Sequence, residues 1–312
     1  MRVLVLCGGA DTGGQGIRIR TAFARFRPDW EVRSVTASRN YMDYEEDVFW
    51  STNNDQIAAL YEQADVIHVR NTFDVCRRFE KRRRPRKTKP VVIHHHGSMF
   101  RTDHAHLLRQ SQQLGAVGLV STLDLLRYAP DRLTWLPIPH DLDELAAIRQ
   151  QAVRDPDKVI IHHSPTNRRV KDTDLFEQVG DALMEKYPQV ECRVVERVPW
   201  QQNLALKAEA DIVYDQLQLG WGNNALEAWA MGVPVVAGVK DPSVRAMMVR
   251  ALGDLPIVEA SPETLYEALE GLVLSADKRR ADGERGLAYV RQYHDHQVVV
   301  PRLVEAYERA AA

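Results

Sequence analysis

The residues best suited to chemistry in this 312-residue chain lie in two segments, His162–Lys171 (HHSPTNRRVK) and Tyr214–Gly238 (YDQLQLGWGNNALEAWAMGVPVVAG). The first places Arg168, Arg169 and Lys171 after a strand-like apolar run and before a helical pattern. Cations at a helix start oppose the helix dipole. A diphosphate bound there would match guanidinium forks and an ammonium point charge. Three solvated surface cations are the alternative. In the second segment Gly220 and Gly222 let the backbone turn, Ala225–Met231 reads as a helix, and Gly232 with Pro234 stops it. Such a loop aims backbone N–H groups and a positive helix end at phosphate or sugar oxygens. Glu227, about one turn into that helix, offers a carboxylate to hydroxyl groups. An ordinary strand–loop–helix with a surface Glu accounts for the same pattern.

These segments must be carried by repeated β–α units. Strands are expected at Arg2–Cys7, Glu31–Val35, Asp65–Val69, Pro90–His95, Ala116–Ser121 and Leu133–Leu136, with helices at Gly16–Phe26, Asn53–Gln63, Phe73–Arg82 and His104–Gln113. Pro137, Pro139 and the stretch to Asp157 mark a boundary. The alternation then restarts with strands Val159–His163, Val190–Val195, Asp211–Tyr214 and Ile257–Val258, separated by helices. This pattern predicts an α/β protein with two doubly wound parallel sheets, whose ligands bind at the carboxyl ends of the strands, in a cleft shared by two domains.

Two other segments reach that edge. Gly8–Gly16 (GGADTGGQG) has five glycines but neither the GxGxxG spacing of a dinucleotide fold nor the Lys and Ser/Thr of a P-loop; it reads as a flexible wall beside a ligand. His94–His96 ends a strand, with His94 and His96 on one face and His95 on the other. Their spacing is not that of a metal site, and His96 is a candidate for hydrogen bonding a sugar or moving a proton.

Net charge is −2, but Arg77–Lys89 (RRFEKRRRPRKTK) carries nine basic residues and one acidic one, a local +8 that leaves −10 on the remainder. A concentrated basic arm suits an anionic partner; a solvated helix end explains it equally. Phe79 is the sole aromatic residue in it, so a base-stacking surface is not indicated. Cys7, Cys76 and Cys192 follow no CxxC pattern and read as reduced thiols of a cytosolic protein. No apolar run is long enough for a transmembrane span, and MRVLVLC reads as a first strand rather than a signal peptide.

Taken in order, SPTNRRVKD, YDQ at 214–216, GWGNNALEAWAMGVPVV, VVIHHHGSMFR, VSTLDLL, WLPIPHDLDEL and the final VVVPRLVEAYERA resemble a retaining nucleotide-sugar glycosyltransferase of the GT-B fold, family 4-like. The resemblance implies an acceptor-side Rossmann-like domain at 1–140, joined by a returning helix at 297–312, and a nucleotide-sugar domain at 141–296. It implies a UDP- or GDP-linked sugar as co-substrate and neither a metal nor a protein nucleophile. In that reading Arg168 or Arg169 and Lys171 neutralise the leaving diphosphate, and His96 touches the donor sugar. Asn167, Asp215, Gln216, Gly220, Gly222, Asn223, Asn224 and Ala225 surround the donor, Glu227 holds the ribose, and Gly13, Gly14 and Gly16 line the cleft. Arg82, Arg83, Arg84 and Arg101 would lie on the acceptor side, where nucleic acid with a hydroxylated base or an anionic membrane surface fits the Arg77–Lys89 arm. The location expected is cytoplasmic, peripheral to a membrane in the second case. Two positions depart from the family: Leu219 stands where a first glutamate is usual, eight residues before Glu227, and Asp172 stands where Gly is common. A sugar epimerase of the same fold and a non-catalytic nucleotide-sugar or nucleic-acid binder are the other readings.

Overall fold

Parallel strands form the centre of each half of the chain in the computed structural model, which describes residues 1–50, 54–70 and 89–312. One unit comprises Met1–His140 with His296–Ala312, the other Asp141–Asp295.

In the first unit β1 (Arg2–Ala10), β2 (Glu31–Ser38), β3 (Val48–Phe49), β4 (Val66–Arg70), β5 (Val91–His95), β6 (Val117–Val120) and β7 (Leu133–Trp135) form a parallel sheet of order β3-β2-β1-β4-β5-β6-β7. Its central strands are mostly apolar, with buried His68, His94 and His95 among them, because both faces are covered. Alternation along β1 sends Val3, Val5 and Cys7 against α1 (Gln15–Phe26) and the C-terminal helix His296–Ala311. Leu4 and Leu6 face the other way, against Ile57 and Tyr61 of α2 (Asn54–Gln63). Strand order reverses between β1 and β4, which places the crevice of this sheet at Asp11–Gln15.

The second unit has a parallel core of β8 (Val159–His163), β9 (Val190–Val194), β10 (Ile212–Tyr214), β12 (Val235–Val239) and β13 (Val258–Glu259), in the order β9-β8-β10-β12-β13. Order reverses between β8 and β10, whose following loops carry the two segments singled out above. Helices α4 (Leu142–Gln151), α5 (Thr173–Lys186), α6 (Trp200–Glu209), α7 (Asn223–Ala230), α8 (Pro242–Leu252), α9 (Leu265–Val273) and α10 (Ala276–Tyr293) complete the unit. Among the described residues, no helix is long and apolar enough to cross a membrane.

Three local differences from the sequence expectations bear on the sites. Strand β1 runs on through Gly8 and Gly9 to Ala10, with a register shift after Cys7 that these glycines absorb, so the expected loop is shorter. Helix α3 (Gly97–Gln113) starts seven residues before the expected His104, and a non-helical Asp103 divides it. Within the Gly-rich loop, Leu219–Gly220 forms β11, antiparallel to β12, with Leu219 opposite Val239 and Gly220 opposite Gly238. Gly220 holds φ +84°, a conformation that penalises any side chain. The helix expected at Phe73–Arg82 lies outside the described residues.

Candidate functional site

In the second unit the loops after β8 and β10 are joined by side-chain bonds at the switch point. Ser164 Oγ donates to Asn224 Oδ1 (2.7 Å), and Asn224 Nδ2 to the Tyr214 carbonyl (3.4 Å). Asp172 adopts φ 49°, ψ 38°, and its carboxylate accepts from Leu217 N (3.2 Å) and Gln218 Nε2 (3.0 Å). That left-handed backbone is one glycine reaches without strain, and Asp tolerates it better than most residues. Here the two hydrogen bonds give the aspartate a purpose of its own.

At the centre, Lys171 Nζ lies 2.5 Å from Asp215 Oδ1, and Gly222 N donates to Asp215 Oδ2 at 2.6 Å. Asp215 is fully buried, while the Lys171 side chain keeps 13% of its surface exposed. A Cβ on Gly222 would sit 3.6 Å from Lys171 Nζ. One carboxylate thus fixes an ammonium and the amide that opens α7. Ala225 N turns back to the Gly222 carbonyl (3.1 Å), leaving Asn223 and Asn224 in the first turn. Gln216 is 5% exposed and its Oε1 has no partner among the described residues.

Glu227 is not a surface residue. It is 3% exposed, accepts from Trp200 Nε1 (2.8 Å), and is ion-paired with Lys207, which is fully buried. Burying a charge this deeply is tolerable only with such partners. Sequence reasoning missed Lys207 and Trp200. The available signal was helical spacing, because Trp200, Leu204, Lys207 and Ala208 share one face of α6, where a lysine is out of place.

The cations of the first segment separate. Arg168 donates to Asp174 (3.1 Å) and Glu196 (2.9 Å) and is also bonded to Glu177, so its guanidinium is committed to three carboxylates. Arg169 is exposed with no ion-pair partner among the described residues. Asn167 shapes the turn, its carbonyl accepting from Lys171 N (3.1 Å) and its Oδ1 from Val170 N (3.2 Å). His163 is a core residue: it bridges the Tyr214 carbonyl (3.1 Å) and Thr173 Oγ1 (2.9 Å), and burial pushes its pKa down to about 4.

At the switch point of the first unit, buried Asp11 accepts from Gly16 N (2.8 Å) and pairs with Arg70 (3.1 Å). Gly14 has φ 60°, and an added Cβ would meet the Tyr44 ring at 2.9 Å, so only glycine fits. Gly13 accepts from Arg18 Nε through its carbonyl (3.3 Å). His96 Nδ1 lies 2.7 Å from Gln15 Nε2, and its ring centroid lies 4.3 Å from that of His94, tilted by 37°; His94 in turn bonds the Leu136 carbonyl (2.9 Å). Burial first, then the His94 and Arg70 neighbours, holds the His96 imidazole neutral, well below its usual range. His95 points to the other face and stacks on Phe100 (4.2 Å). Beyond Tyr44, a pocket of about 220 Å³ is lined by Arg39, Asn40, Asp43, Tyr44, Glu45, Glu46 and Phe49.

Arg101, expected on the acceptor side, is locked in a two-bond ion pair with Asp124 (2.7 and 3.0 Å). Arg82, Arg83, Arg84 and the rest of Arg77–Thr88 lie outside the described residues. Among the described residues, no group of three or more His, Cys, Asp or Glu side chains is placed to hold a metal ion.

No family model and no curated protein sequence matches the chain. Solved structures do. An alpha-glucosyltransferase in complex with UDP and a 13-mer DNA containing an HMU base aligns over 99% of both chains at 14% identity, with a TM-score of 0.69. Anabaena HepE in complex with UDP and glucose aligns over 99% of both chains at 15% identity, with a TM-score of 0.68. Sucrose-phosphate synthase from Thermosynechococcus elongatus aligns over 99% of this chain and 98% of its own at 13% identity, with a TM-score of 0.64. The fold is GT-B. Within a GT-B chain the Lys171–Asp215–Gly222 cluster stands at the carboxyl edge of the C-terminal Rossmann-like unit, and the Gln15–His96 pair at that of the N-terminal one.

Proposed function

We propose that this chain is a retaining glycosyltransferase that moves a sugar from a UDP-linked donor to an acceptor hydroxyl. The observation that carries the proposal is the Lys171–Asp215–Gly222 cluster at the switch point of the second unit. It aligns a cation with the amide end of α7, the two groups that a departing diphosphate needs. Lys171 and Arg169 take the diphosphate charge and do the work a metal would otherwise do. Arg168, tied to three carboxylates, braces the loop instead. The first turn of α7 at Asn223 and Asn224 holds diphosphate and sugar oxygens, and Gln216 offers its amide oxygen to a hydroxyl. Glu227, paired with Lys207 and Trp200, takes the ribose. Neutral His96 supplies a hydrogen bond to the sugar. Bound UDP in two of the similar structures supports the choice of nucleotide. For the acceptor, the Arg77–Lys89 arm favours a hydroxyl carried by an anionic partner, and the DNA complex of one similar structure makes nucleic acid the first to try.

The test is a mass measurement. The protein is incubated with a panel of UDP- and GDP-sugars and three acceptors: DNA containing hydroxymethylpyrimidine, anionic vesicles and free sugars. One acceptor should gain the mass of one sugar, with UDP released in equal amount. An epimerised donor, or donor binding without transfer to any acceptor, contradicts the proposal.

A further inference from the structure

Gln15 opens α1 at the switch point of the first unit and is 5% exposed. One end of its amide lies 2.7 Å from His96 Nδ1, while Oε1 at the other end is buried without a partner among the described residues. Amide orientation does not remove this. Turning the group by 180° would set Oε1 against the imidazole and leave the NH2 unpaired instead. An unpaired end of a buried amide is destabilising, and folded chains rarely retain one. The residue is also held in place on both sides, by Gly14 under the Tyr44 ring and by Gly16 on the Asp11 carboxylate.

We propose that Gln15 is a specificity-determining contact of the transfer reaction: one end of its amide positions His96 and the other hydrogen-bonds a hydroxyl of the transferred sugar. The assignment rests on the glycosyltransferase reading. Because the site leaves a polar group unpaired when that hydroxyl is missing, it selects against deoxy sugars more strongly than an apolar wall would.

Gln15→Met keeps the length of the side chain and deletes the amide. Three measurements on the full chain test the assignment: UDP affinity by calorimetry, kcat/KM for transfer, and thermal unfolding. UDP affinity should stay within about two-fold, because the nucleotide contacts lie in the second unit. kcat/KM should fall about 30-fold, the scale of a lost buried hydrogen bond to substrate. The midpoint of unfolding should change little, since the lost bond to His96 is offset by removal of the unpaired amide end. With donors lacking one hydroxyl at a time, a single deoxy sugar should be turned over equally by wild type and Gln15→Met. Unchanged kcat/KM with unchanged UDP binding overturns the assignment and leaves the proposed function standing, and a lowered midpoint in that case marks Gln15 as a packing residue. A wild-type chain that neither binds nor turns over any nucleotide sugar overturns both.

Discussion

At the carboxyl edge of the second unit, charged side chains are already paired within the chain: Lys171 with Asp215, Glu227 with Lys207, and Arg168 with three carboxylates. At the edge of the first unit the central pair, Gln15 and His96, is neutral and leaves one amide end unpaired. Under the proposed function, the difference separates two tasks. A diphosphate needs charge, and charge kept close to a protein core must be fixed by counter-charge before the ligand arrives. Sugar hydroxyls need neutral donors and acceptors, which cost less to leave partly unpaired. Arg169, exposed and without an ion-pair partner among the described residues, stands outside this scheme.

The comparison breaks most readily at Lys207. Lys207→Met would leave the Glu227 carboxylate buried without its ion-pair partner, at a cost of about 3–5 kcal/mol in unfolding free energy. Lys207→Met combined with Glu227→Met should recover most of that stability while transfer stays lost. Urea denaturation beside an activity assay separates the two effects, and recovery of transfer in the double variant would remove Glu227 from the donor site.

Lys171→Ala should cut transfer about 100-fold, or about 2.7 kcal/mol of transition-state stabilisation. Steady-state kinetics check this, and a loss under about three-fold would move the diphosphate elsewhere.

Acid should weaken both units together. Burial pushes the pKa of His68 and His162 down to about 3 and that of His95 and His163 down to about 4. Unfolded imidazoles titrate near 6.5, so between pH 6.5 and about 4 the unfolded chain binds more protons and stability falls as pH drops. Each histidine contributes up to about 1.4 kcal/mol per pH unit in that window. Urea midpoints at pH 7, 5.5 and 4.5 should decline in order; a flat series would show that these rings are protonated in the fold.

The smallest effect belongs to Arg168. With its guanidinium committed to Asp174, Glu177 and Glu196, Arg168→Met should change kcat/KM by less than about three-fold. A loss as large as that of Lys171→Ala would return it to the diphosphate.

The strands were legible because buried parallel strands leave runs such as VLVLC, VVIHH and VIIHH, and the loops between them because Gly, Pro and polar clusters interrupt those runs. Glycine spacing and the run of cations also pointed to Lys171 and Gly222. What the sequence did not disclose were the partners. Asp215 is 44 residues from Lys171 and Lys207 is 20 from Glu227, so their pairing is a product of topology, not of local pattern. The same holds for Arg168, whose carboxylate partners sit 6, 9 and 28 residues away. Leu219, read as a missing sugar contact, instead lies in the short strand β11, whose pairing with β12 continues through Gly220. Asp172 reads as a departure in sequence, yet its left-handed backbone explains why glycine is common at that position.

Calorimetric titration of UDP into the wild-type chain and into Lys171→Ala tests the diphosphate assignment. Saturable binding by the wild type, weakened about 100-fold in the variant, is the predicted result. No UDP binding, or equal affinity in the two proteins, would contradict a nucleoside diphosphate site at Lys171, Asp215 and Gly222.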